Sequence, residues 1–436
     1  MQHKWTGLAA ACVLALAGAA ATAQAAAAVA HERTPSLLPS PLSAQAFTEA
    51  VLRENASLAA MRQAVAAAAS RIRPAGALDD PMLSISVAPR SFGSPMGAGG
   101  EIEVSQPLPW WGTLDARAEV ARAQAEAARH DFDGLELRLA ALARGEFSDW
   151  VFIHRALAIN GANQAVLADL RSIARVRYTT GQAPQGDILQ ADVERTMLRQ
   201  QRLELERARS AVRARMNALL ERRPEARIPE PAGLPSNVPL PAEEVLAQRA
   251  LAHPQLEQLE AEEQAAAAQQ RLAEKQRYPR FALSAGYNSM WPDPAMRPMV
   301  GVSVTVPLDQ GKYRADIDAA RAEAHRAAST LEDRRAALLA DLAAAYASAK
   351  QAAQSLELYR DQLVPLAREN LEVARSEYAS GRGDFLSVMA AEQRQLDAEL
   401  GLARMQSQYY QRLAELEQVS GGVSLLPGSG GEGVDR

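Results

Sequence analysis

The sequence repeats a set of short motifs at a spacing of about 200 residues. The motif Ala-Arg-x-x-Tyr-x-x-Gly begins at Ala174 and begins again at Ala374. A Gly-Asp pair follows each copy of this motif, at Gly186 and at Gly383. Each copy of the repeat reads in the same order: a short helix, two short strands and two very long helices. A doubled unit with this order favours an object built by rotation about an axis, such as a tube.

The duplication sets the boundaries that we predict for the chain. Repeat 1 covers residues 43–222 and repeat 2 covers residues 242–426, each with a helix, a β-hairpin and a long helix pair. A proline-rich linker at 223–241 joins the two repeats. Residues 427–436, which are rich in glycine, are predicted to form a disordered tail.

Residues 1–23 have the features of an export signal. A basic start and an apolar run are followed by a small-residue cleavage site at residues 21–23. The only cysteine, Cys12, lies inside this run, so the mature chain is predicted to have no disulfide and no thiol chemistry. No later segment approaches 18 consecutive apolar residues, so any span of a membrane has to be made by strands.

Both repeats contain the hydrophobic spacing of helices that pack along a seam. In repeat 1 the apolar positions step by four and three residues, at Leu114, Ala118, Ala121, Ala125, Ala128, Phe132, Leu135, Leu139 and Leu142. The helix predicted from Gly112 to Tyr178 would reach on the order of 100 Å, and a return helix is predicted from Asp187 to Arg222. Pro365 should remove one hydrogen bond from the equivalent helix of repeat 2 and bend it. An ordinary helical bundle would show the same heptads, but it would not need helices of this length.

Four segments alternate between apolar and polar residues as strands do. They are Met82–Ala88, Glu101–Ser105, Phe281–Tyr287 and Val300–Val306. One face of each is apolar and the other is small, polar or acidic, at a length that suits a tilted transmembrane strand. Two amphipathic hairpins packed on helices in a soluble protein would give the same pattern. The export signal and the long helices favour the membrane.

Side chains next to these strands support the same interpretation. Trp110 and Trp111 follow the second strand and Tyr278 precedes the third, where an aromatic girdle at the membrane interface would lie. Glu101 and Glu103 lie on the polar side of the second strand. In a closed barrel they would face the lumen, and we expect them to give a mild preference for cations.

Four strands cannot close a barrel, so the strands have to be pooled across subunits. Open sheet edges are not tolerated in lipid, because each unpaired amide or carbonyl group costs several kcal/mol. Two subunits would give eight strands and an interior filled by side chains, whereas three would give twelve strands and room for a lumen. This argument favours three or more subunits without choosing among them.

The doubled helix-turn motif resembles that of the TolC-type outer-membrane efflux channels, and the resemblance covers essentially the whole mature chain. It rests on Tyr-x-x-Gly followed by Asp-x-Leu, which occurs at Tyr178 and again at Tyr378. The segment Ser105–Gly112 resembles the heavy-metal, CzcC-like branch. The resemblance implies a mainly α fold with a small β part. Duplicated long-helix hairpins would form a trimeric α-barrel, and four strands per chain would contribute to a shared twelve-strand transmembrane β-barrel.

The function implied by this resemblance is that of an outer-membrane channel in a tripartite efflux system, with a long periplasmic extension. A homotrimer in outer-membrane lipid would passively conduct substrate to the exterior, with heavy-metal cations as one candidate. Its partners would be a periplasmic adaptor (membrane fusion) protein and an inner-membrane pump of the resistance-nodulation-division (RND) type. The alternative is a periplasmic coiled-coil adaptor or scaffold without a pore. Strands in both copies disfavour that alternative, since an adaptor would place one helical hairpin between flanking β domains.

The resemblance also assigns roles to residues at the helix turns. Four residues match the tip that contacts the adaptor: Tyr178, Gly181, Tyr378 and Gly381. Asp187 and Asp384 match the aspartates of the periplasmic gate, where rings of carboxylates attract cations and can pair with arginine. Where some members carry a second aspartate, this chain has Gln190 and Ser387, so a single ring is expected. Helix capping is the alternative role for both aspartates.

Other classes of function find no support in the sequence. The net charge of −5 over 436 residues argues against nucleic acid as a partner. The sequence has no nucleophile elbow, phosphate loop or zinc motif, and the six histidines lack the spacing of metal ligands. We therefore predict no enzymatic activity, no cofactor and no metal site, with His154 and His325 serving in packing or facing solvent.

Overall fold

The computed structural model describes residues 38–88, 99–235, 238–291 and 293–426. The predicted export signal and the predicted tail at 427–436 lie outside the described residues. Within the described ranges the chain is mainly helical, with one small antiparallel sheet.

The two repeats follow the same order of elements. Repeat 1 comprises α1 (Ala44–Glu54), α2 (Ala56–Ala75), β1 (Met82–Ala88), β2 (Gly99–Leu108), α3 (Thr113–Thr179) and α4 (Gln185–Leu219). Repeat 2 comprises α5 (Glu243–Ala250), α6 (Pro254–Gln276), β3 (Arg280–Asn288), β4 (Pro298–Thr305), α7 (Gln310–Leu358), α8 (Val364–Ala379) and α9 (Phe385–Val419). A short 3₁₀ turn, Pro294–Met296, lies between β3 and β4. The predicted order is confirmed, except that the short helix of each repeat is a pair of helices.

Local capping explains where several helices begin. The Ser43 hydroxyl accepts a hydrogen bond from the Ala46 amide at 3.2 Å and caps α1. The Asn55 side chain caps α2 through the Ser57 amide at 3.0 Å. The Asp309 carboxylate caps α7 through the Lys312 amide at 3.1 Å. Each cap satisfies a backbone donor that has no partner within its own helix.

Helix α3 has 67 residues, which at 1.5 Å per residue gives a length of about 100 Å. It packs against α2, α4, α6 and α9, and α7 packs against α6 and α9. The predicted bounds of this helix are confirmed to within a residue at each end. The return helix α4 begins two residues earlier than predicted and ends at Leu219 rather than Arg222.

Helices α7 and α8 form one long helix that is interrupted where the sequence places a proline. The ladder widens to a π turn at Tyr359–Leu363, and Pro365 lies in the first turn of α8. A proline has no N–H to donate to the preceding turn, so the helix loses one hydrogen bond there. On the facing helix α9, a Cβ atom added to Gly401 would overlap the Tyr359 ring. The ladder is therefore disturbed just before Pro365, as predicted, and Gly401 makes room for the Tyr359 ring, while the bend stays a prediction.

The sheet joins the two repeats in the order β1-β2-β3-β4, all antiparallel. Its central pair, β2 with β3, is formed by one strand from each repeat, and Glu103 lies opposite Gly286. A Cβ atom at Gly286 would lie 2.9 Å from the Ile102 carbonyl oxygen, so this close approach requires glycine. Strands β1 and β4 lie at the two edges of the sheet.

The apolar face of the sheet is exposed in the single chain. The large apolar side chains on that face are Leu83, Ile85, Val87, Ile102, Val104, Leu283, Val300, Val302 and Val304. Glu101 and Glu103 lie on the opposite face and are half-buried. The predicted alternation is confirmed, and the face that would normally be buried in a protein core has no cover within the described chain.

The linker between the repeats packs against the middle of the long helices. The Trp150 indole N–H donates to the Pro229 carbonyl at 2.9 Å, and the Leu42 amide donates to the Glu230 carbonyl at 2.9 Å. Ile228 is buried in the same core as Phe147. In its described part, the segment 223–241 is therefore a packed element rather than a free tether.

No helix in the described part of the chain combines the length and the apolarity needed to cross a membrane.

Replacing Phe147 by alanine should lower the free energy of unfolding by about 3–5 kcal/mol, because the side chain is fully buried and its loss leaves a cavity. Arg326→Ala is the control, since its ion pair with Glu323 is largely exposed and should contribute less than about 1 kcal/mol. Urea denaturation of the purified protein, followed by tryptophan fluorescence, measures both changes. Similar effects of the two substitutions would contradict the assigned core.

Candidate functional site at the helix turns

Both helix pairs turn through the same backbone motif. After α3 the Gly181 amide donates to Tyr178 and the Gln182 amide donates to Arg177, at 3.0 and 2.7 Å. After α8 the same two bonds form from Gly381 and its successor. The two glycines have φ values of 74° and 78°, a region in which a side chain is strained. These Schellman motifs explain why each motif in the sequence ends in glycine.

The helices that follow the two turns begin at different places. Asp384 caps α9, because its carboxylate accepts a hydrogen bond from the Ser387 amide at 2.7 Å. Asp187 instead lies inside the first turn of α4, whose N-terminal cap is Pro184. The capping role is therefore confirmed for Asp384 and wrong for Asp187. Three extra residues in the first turn move the start of α4 ahead of its aspartate.

Asp187 forms a cluster with side chains from two other helices. The Tyr378 hydroxyl, on α8, donates a hydrogen bond to the Asp187 carboxylate at 2.9 Å. The Arg177 guanidinium, from α3, lies 4.4 Å from the centre of the Tyr378 ring and donates to the Tyr378 carbonyl oxygen. Phe385 packs against the same ring, with the ring centres 5.3 Å apart. We call Arg177, Asp187 and Tyr378 the tip cluster; it links repeat 1 to repeat 2.

The surroundings of Tyr378 keep its hydroxyl protonated. Burial raises the pKa of Tyr378 to about 12, and the hydrogen bond to Asp187 acts in the same direction, while Arg177 opposes both. The phenol therefore remains a donor throughout the physiological range. A neutral donor facing a carboxylate gives a charge-assisted hydrogen bond, which is stronger than a bond between neutral groups.

Residues at equivalent positions of the two repeats do not have equivalent surroundings. Tyr378 is 3% exposed, whereas Tyr178 is 45% exposed. Arg177 corresponds to Glu377 in repeat 2, so the charge changes sign between the repeats. The matching motifs predict the same role for both tyrosines and give no role to Arg177. The opposite charges at positions 177 and 377 were the available signal.

A buried carboxyl group lies two helical turns above this cluster, on α9. Glu392 is 3% exposed, and one of its oxygens has no hydrogen-bond partner within the described residues. Burial raises the pKa of Glu392 to about 7, with Glu194 and Asp397 adding to the rise and Arg375 opposing it. The surrounding core combines residues of α3, α4, α8 and α9. Sequence reasoning missed this residue, because its heptad position alone does not show that all four helices enclose it.

The predicted interface aromatics, Trp110, Trp111 and Tyr278, come together at the base of the sheet and are called the aromatic cluster here. The Trp110 ring stacks on Tyr278 with the centres 4.9 Å apart, and it contacts Trp111 edge-on at the same distance. Trp111 remains largely exposed. His154, by contrast, packs against Trp150, and burial lowers its pKa. The packing role expected for His154 is therefore confirmed.

Three comparisons with known proteins bear on these features. Residues 246–422, within repeat 2, match the protein family described as outer membrane efflux protein. None of the curated proteins matches the sequence.

The chain is also similar in structure to several solved proteins. For the outer-membrane channel OprN, the identity is 21% and the TM-score 0.75, over 87% of this chain and 90% of that chain. For VceC from Vibrio cholerae, an outer membrane protein, the identity is 19% and the TM-score 0.75. The match covers 87% of this chain and 96% of that chain. For CusC, whose structures concern folding and transmembrane channel formation, the identity is 17% and the TM-score 0.76. The match covers 87% of this chain and 92% of that chain.

At these identities, structural likeness shows a shared fold. The predicted fold class, long duplicated helix hairpins with a small antiparallel sheet, is therefore confirmed as that of these outer-membrane proteins. The family match supports the outer-membrane efflux family directly over repeat 2. The heavy-metal branch remains a prediction, because neither the family match nor the similarity to solved structures distinguishes it.

The raised pKa of Glu392 predicts a stability that falls as the pH rises. In the unfolded chain the carboxyl group loses its proton near pH 4.5, whereas in the folded chain it keeps the proton to about pH 7. The contribution of Glu392 to the free energy of unfolding is therefore fully present below pH 4.5. It falls by about 1.4 kcal/mol per pH unit between pH 4.5 and about 7. Glu392→Gln should remove the loss and stabilise the protein at pH 8 by on the order of 2–3 kcal/mol.

Denaturation midpoints at pH 4.5, 6 and 8 would test this prediction. Glu372→Gln, an exposed change on α8, is the control and should leave the pH profile as in the wild type. A wild-type profile in Glu392→Gln would show that Glu392 is ionised without penalty in the folded protein.

Proposed function

We propose that this protein is the outer-membrane channel of a tripartite efflux system. In this proposal three copies assemble into a tube that spans the outer membrane through strands and extends through the periplasm through the long helices. It conducts substrate passively from an inner-membrane pump and a periplasmic adaptor to the exterior. The family match over repeat 2 and the shared fold support this assignment.

The observation that carries the proposal is the sheet. Its apolar face is exposed along all four strands, and β1 and β4 lie at its edges. Contact of such a face with lipid carries no free-energy cost, whereas its exposure to water is unfavourable. Lipid also requires every backbone group to be paired, so β1 of one copy has to pair with β4 of the next. Three copies then give twelve strands, which enclose a lumen.

The long helices support a continuous periplasmic tunnel in this assembly. Each chain supplies two helix pairs, and a compact domain has no need for a helix as long as α3. The two pairs within one chain meet at the buried core near the helix turns, where α3 and α4 pack against α8 and α9. Three chains would close six helix pairs into a tube.

We propose that the tip cluster holds the periplasmic end of the tunnel closed. The bond from Tyr378 to Asp187 ties α8 to α4, and Arg177 ties α3 to the same tyrosine. The two helix pairs of one chain can separate only after these contacts break. Asp384 caps α9 from the adjoining turn and can place a second carboxylate at the constriction.

The adaptor is proposed to bind the exposed parts of the two turns. Tyr178 offers a half-exposed aromatic ring, and Gly181 and Gly381 offer exposed backbone, with the Arg177 guanidinium next to Gly381. Tyr378, although it belongs to the matching motif, is buried behind Phe385. We therefore assign Tyr378 to closure of the tip and the other three positions to the adaptor. An RND-type pump would complete the system.

Heavy-metal cations remain a candidate substrate. This finer proposal rests on the segment Ser105–Gly112, which contains the Trp110–Trp111 pair of the aromatic cluster. Glu101 and Glu103 would line the lumen in the trimer and attract cations. The rival function, a periplasmic coiled-coil adaptor or scaffold without a pore, leaves the exposed apolar face of the sheet without a role.

Cysteine labelling on intact cells tests the orientation of the proposed channel. Ala295→Cys lies in the exposed turn between β3 and β4, and Thr180→Cys lies in the exposed turn after α3. A membrane-impermeant maleimide should label Ala295→Cys on intact cells, and Thr180→Cys only after the outer membrane is permeabilised. Protection of both sites until permeabilisation would support the periplasmic rival instead.

Tyr378→Phe should favour the open tip, because it removes the hydroxyl donor and keeps the ring. A hydrogen bond to a charged group contributes about 1.5–3 kcal/mol, which corresponds to an open-to-closed ratio raised at least tenfold. Single-channel recordings of the purified protein in planar bilayers measure this ratio. Tyr178→Phe is the matched control and should behave as the wild type. Equal open probabilities in all three proteins would exclude closure by the Tyr378 hydroxyl.

A further inference from the structure

A cationic cavity lies where the sheet meets the long helices. Its volume is about 270 Å³, and it is bounded by the start of α3, the end of α6 and the start of α7. Four cationic side chains line it, namely Arg117, Lys275, Arg280 and Lys312. Asp316 is the one carboxylate among the lining residues. Neither the tip cluster nor the aromatic cluster explains this excess of positive charge.

The use of lysine at this cavity stands out against the rest of the chain. Of the 47 basic residues only four are lysines, at Lys4, Lys275, Lys312 and Lys350. Two of the three that fall in the described residues therefore line one cavity. Arginine suits fixed bidentate pairs, whereas the lysine ammonium is a compact charge on a flexible stem. Such a group suits a ligand that binds and leaves.

Both lysines lie next to the N-terminus of a helix, either their own or a neighbouring one, although Lys275 itself belongs to the last turn of α6, where a cation is favourable. The Lys275 ammonium lies 3.7 Å from where a Cβ atom of Gly112 would be, next to the N-terminus of α3. Lys312 lies in the first turn of α7, which contains no acidic residue. Helix N-termini carry partial positive charge, so cations there are repelled and anions are attracted. A bound anion would relieve this repulsion most at α7, since Asp115 already lies in the first turn of α3.

The carboxylates nearby neutralise only part of this charge. Asp79 lies 3.7 Å from Arg117, at the limit of an ion pair. Asp309 is used as the cap of α7. Even with Arg117 set aside, Lys275, Arg280 and Lys312 face the single carboxylate Asp316. A cavity of this size with such an excess of cations fits an anionic group.

The register of the sheet shows which of its faces the cavity adjoins. Arg280 lies on β3 two residues before Ala282 and four before Ser284, so it shares their face. Glu103 and Ser105 belong to the same face through their pairing with Gly286 and Ser284. The apolar face, which we assign to lipid, is the opposite one. In the proposed trimer the cavity therefore adjoins the lumen.

We propose that this cavity binds the anionic group, a phosphate, sulfonate or carboxylate, of solutes that pass through the lumen. The inference rests on the proposed channel function and specifies a substrate class that is an alternative to the heavy-metal cations considered above. Three copies would form a cationic ring at the base of the barrel, below the carboxylates of Glu101 and Glu103. Anionic solutes would concentrate at this ring before they enter the barrel.

Binding of inorganic pyrophosphate tests the cavity without requiring a pore. Isothermal titration of the full-length, detergent-solubilised protein should show binding that weakens with added salt. The double variant Lys275→Gln/Lys312→Gln should bind at least tenfold more weakly. Lys350→Gln, an exposed change on α7 about 57 Å from Lys312 along the helix, is the control. Absence of binding to the wild type, or equal binding to the double variant, would overturn the proposal.

Two further arms identify the source of the anion and guard against misfolding. Lys275→Arg/Lys312→Arg keeps the charges and should restore most of the binding, which separates a lost site from a lost fold. Short-chain phosphatidylglycerol should not displace pyrophosphate, because the cavity adjoins the polar face. Displacement by that lipid would assign the site to a membrane headgroup and overturn the role in solute passage.

Reversal potentials in planar bilayers connect the site to transport. With a potassium chloride gradient, Lys275→Gln/Lys312→Gln should shift the potential towards greater cation selectivity, while Lys350→Gln should leave it unchanged. Absence of conductance in the wild type would contradict the channel function and leave the pyrophosphate result to judge the cavity. Normal conductance with unchanged selectivity in the double variant would overturn the lumenal role of the cavity alone.

Discussion

Backbone hydrogen bonding at the edges of the sheet is the constraint on which the rest of the structure depends. Strands β1 and β4 each have one edge that no described strand covers, and the apolar face between them is exposed. Lipid covers the exposed apolar face, but it offers no hydrogen bonds to the uncovered strand edges. Pairing of β1 of one copy with β4 of the next satisfies these edges while lipid covers the face. The rotational symmetry of the proposed trimer therefore follows from the sheet, and the long helices are arranged about the same axis.

The two repeats share a backbone plan and differ in the chemistry of their turns. Gly181 and Gly381 close the same Schellman motif, since any helix that reverses there needs a residue with positive φ. The side chains then diverge: Tyr378 is buried against Asp187 and Arg177, whereas Tyr178 faces solvent. This divergence favours a contact between the two repeats, because the donor, Tyr378, lies in one repeat and the acceptor, Asp187, lies in the other. Charge separates along the molecule in a similar way, with carboxylates on the strands and an excess of cations at their base.

Periodicity made much of the fold predictable. The bounds of α3 and of β1 follow from heptads and from alternation, and Pro365 marks the interruption between α7 and α8. The site was less accessible to such reasoning. Asp187 and Asp384 occupy matching positions in the sequence, yet only Asp384 caps a helix, because three extra residues shift the start of α4. Arg177 and Glu392 were missed, since their partners lie on other helices and local spacing does not record them.

The sequence by itself determined the duplication, the order of the elements and the two faces of each strand. These are local properties, since side chains repeat every 3.6 residues along a helix and every two along a strand. Only the tertiary structure decided which tyrosine is buried, that β2 pairs with β3 across the repeats, and that Lys275 and Lys312 meet at one cavity. Each of these depends on the packing of segments that are distant in sequence. The energy of such contacts arises only when burial brings the side chains together.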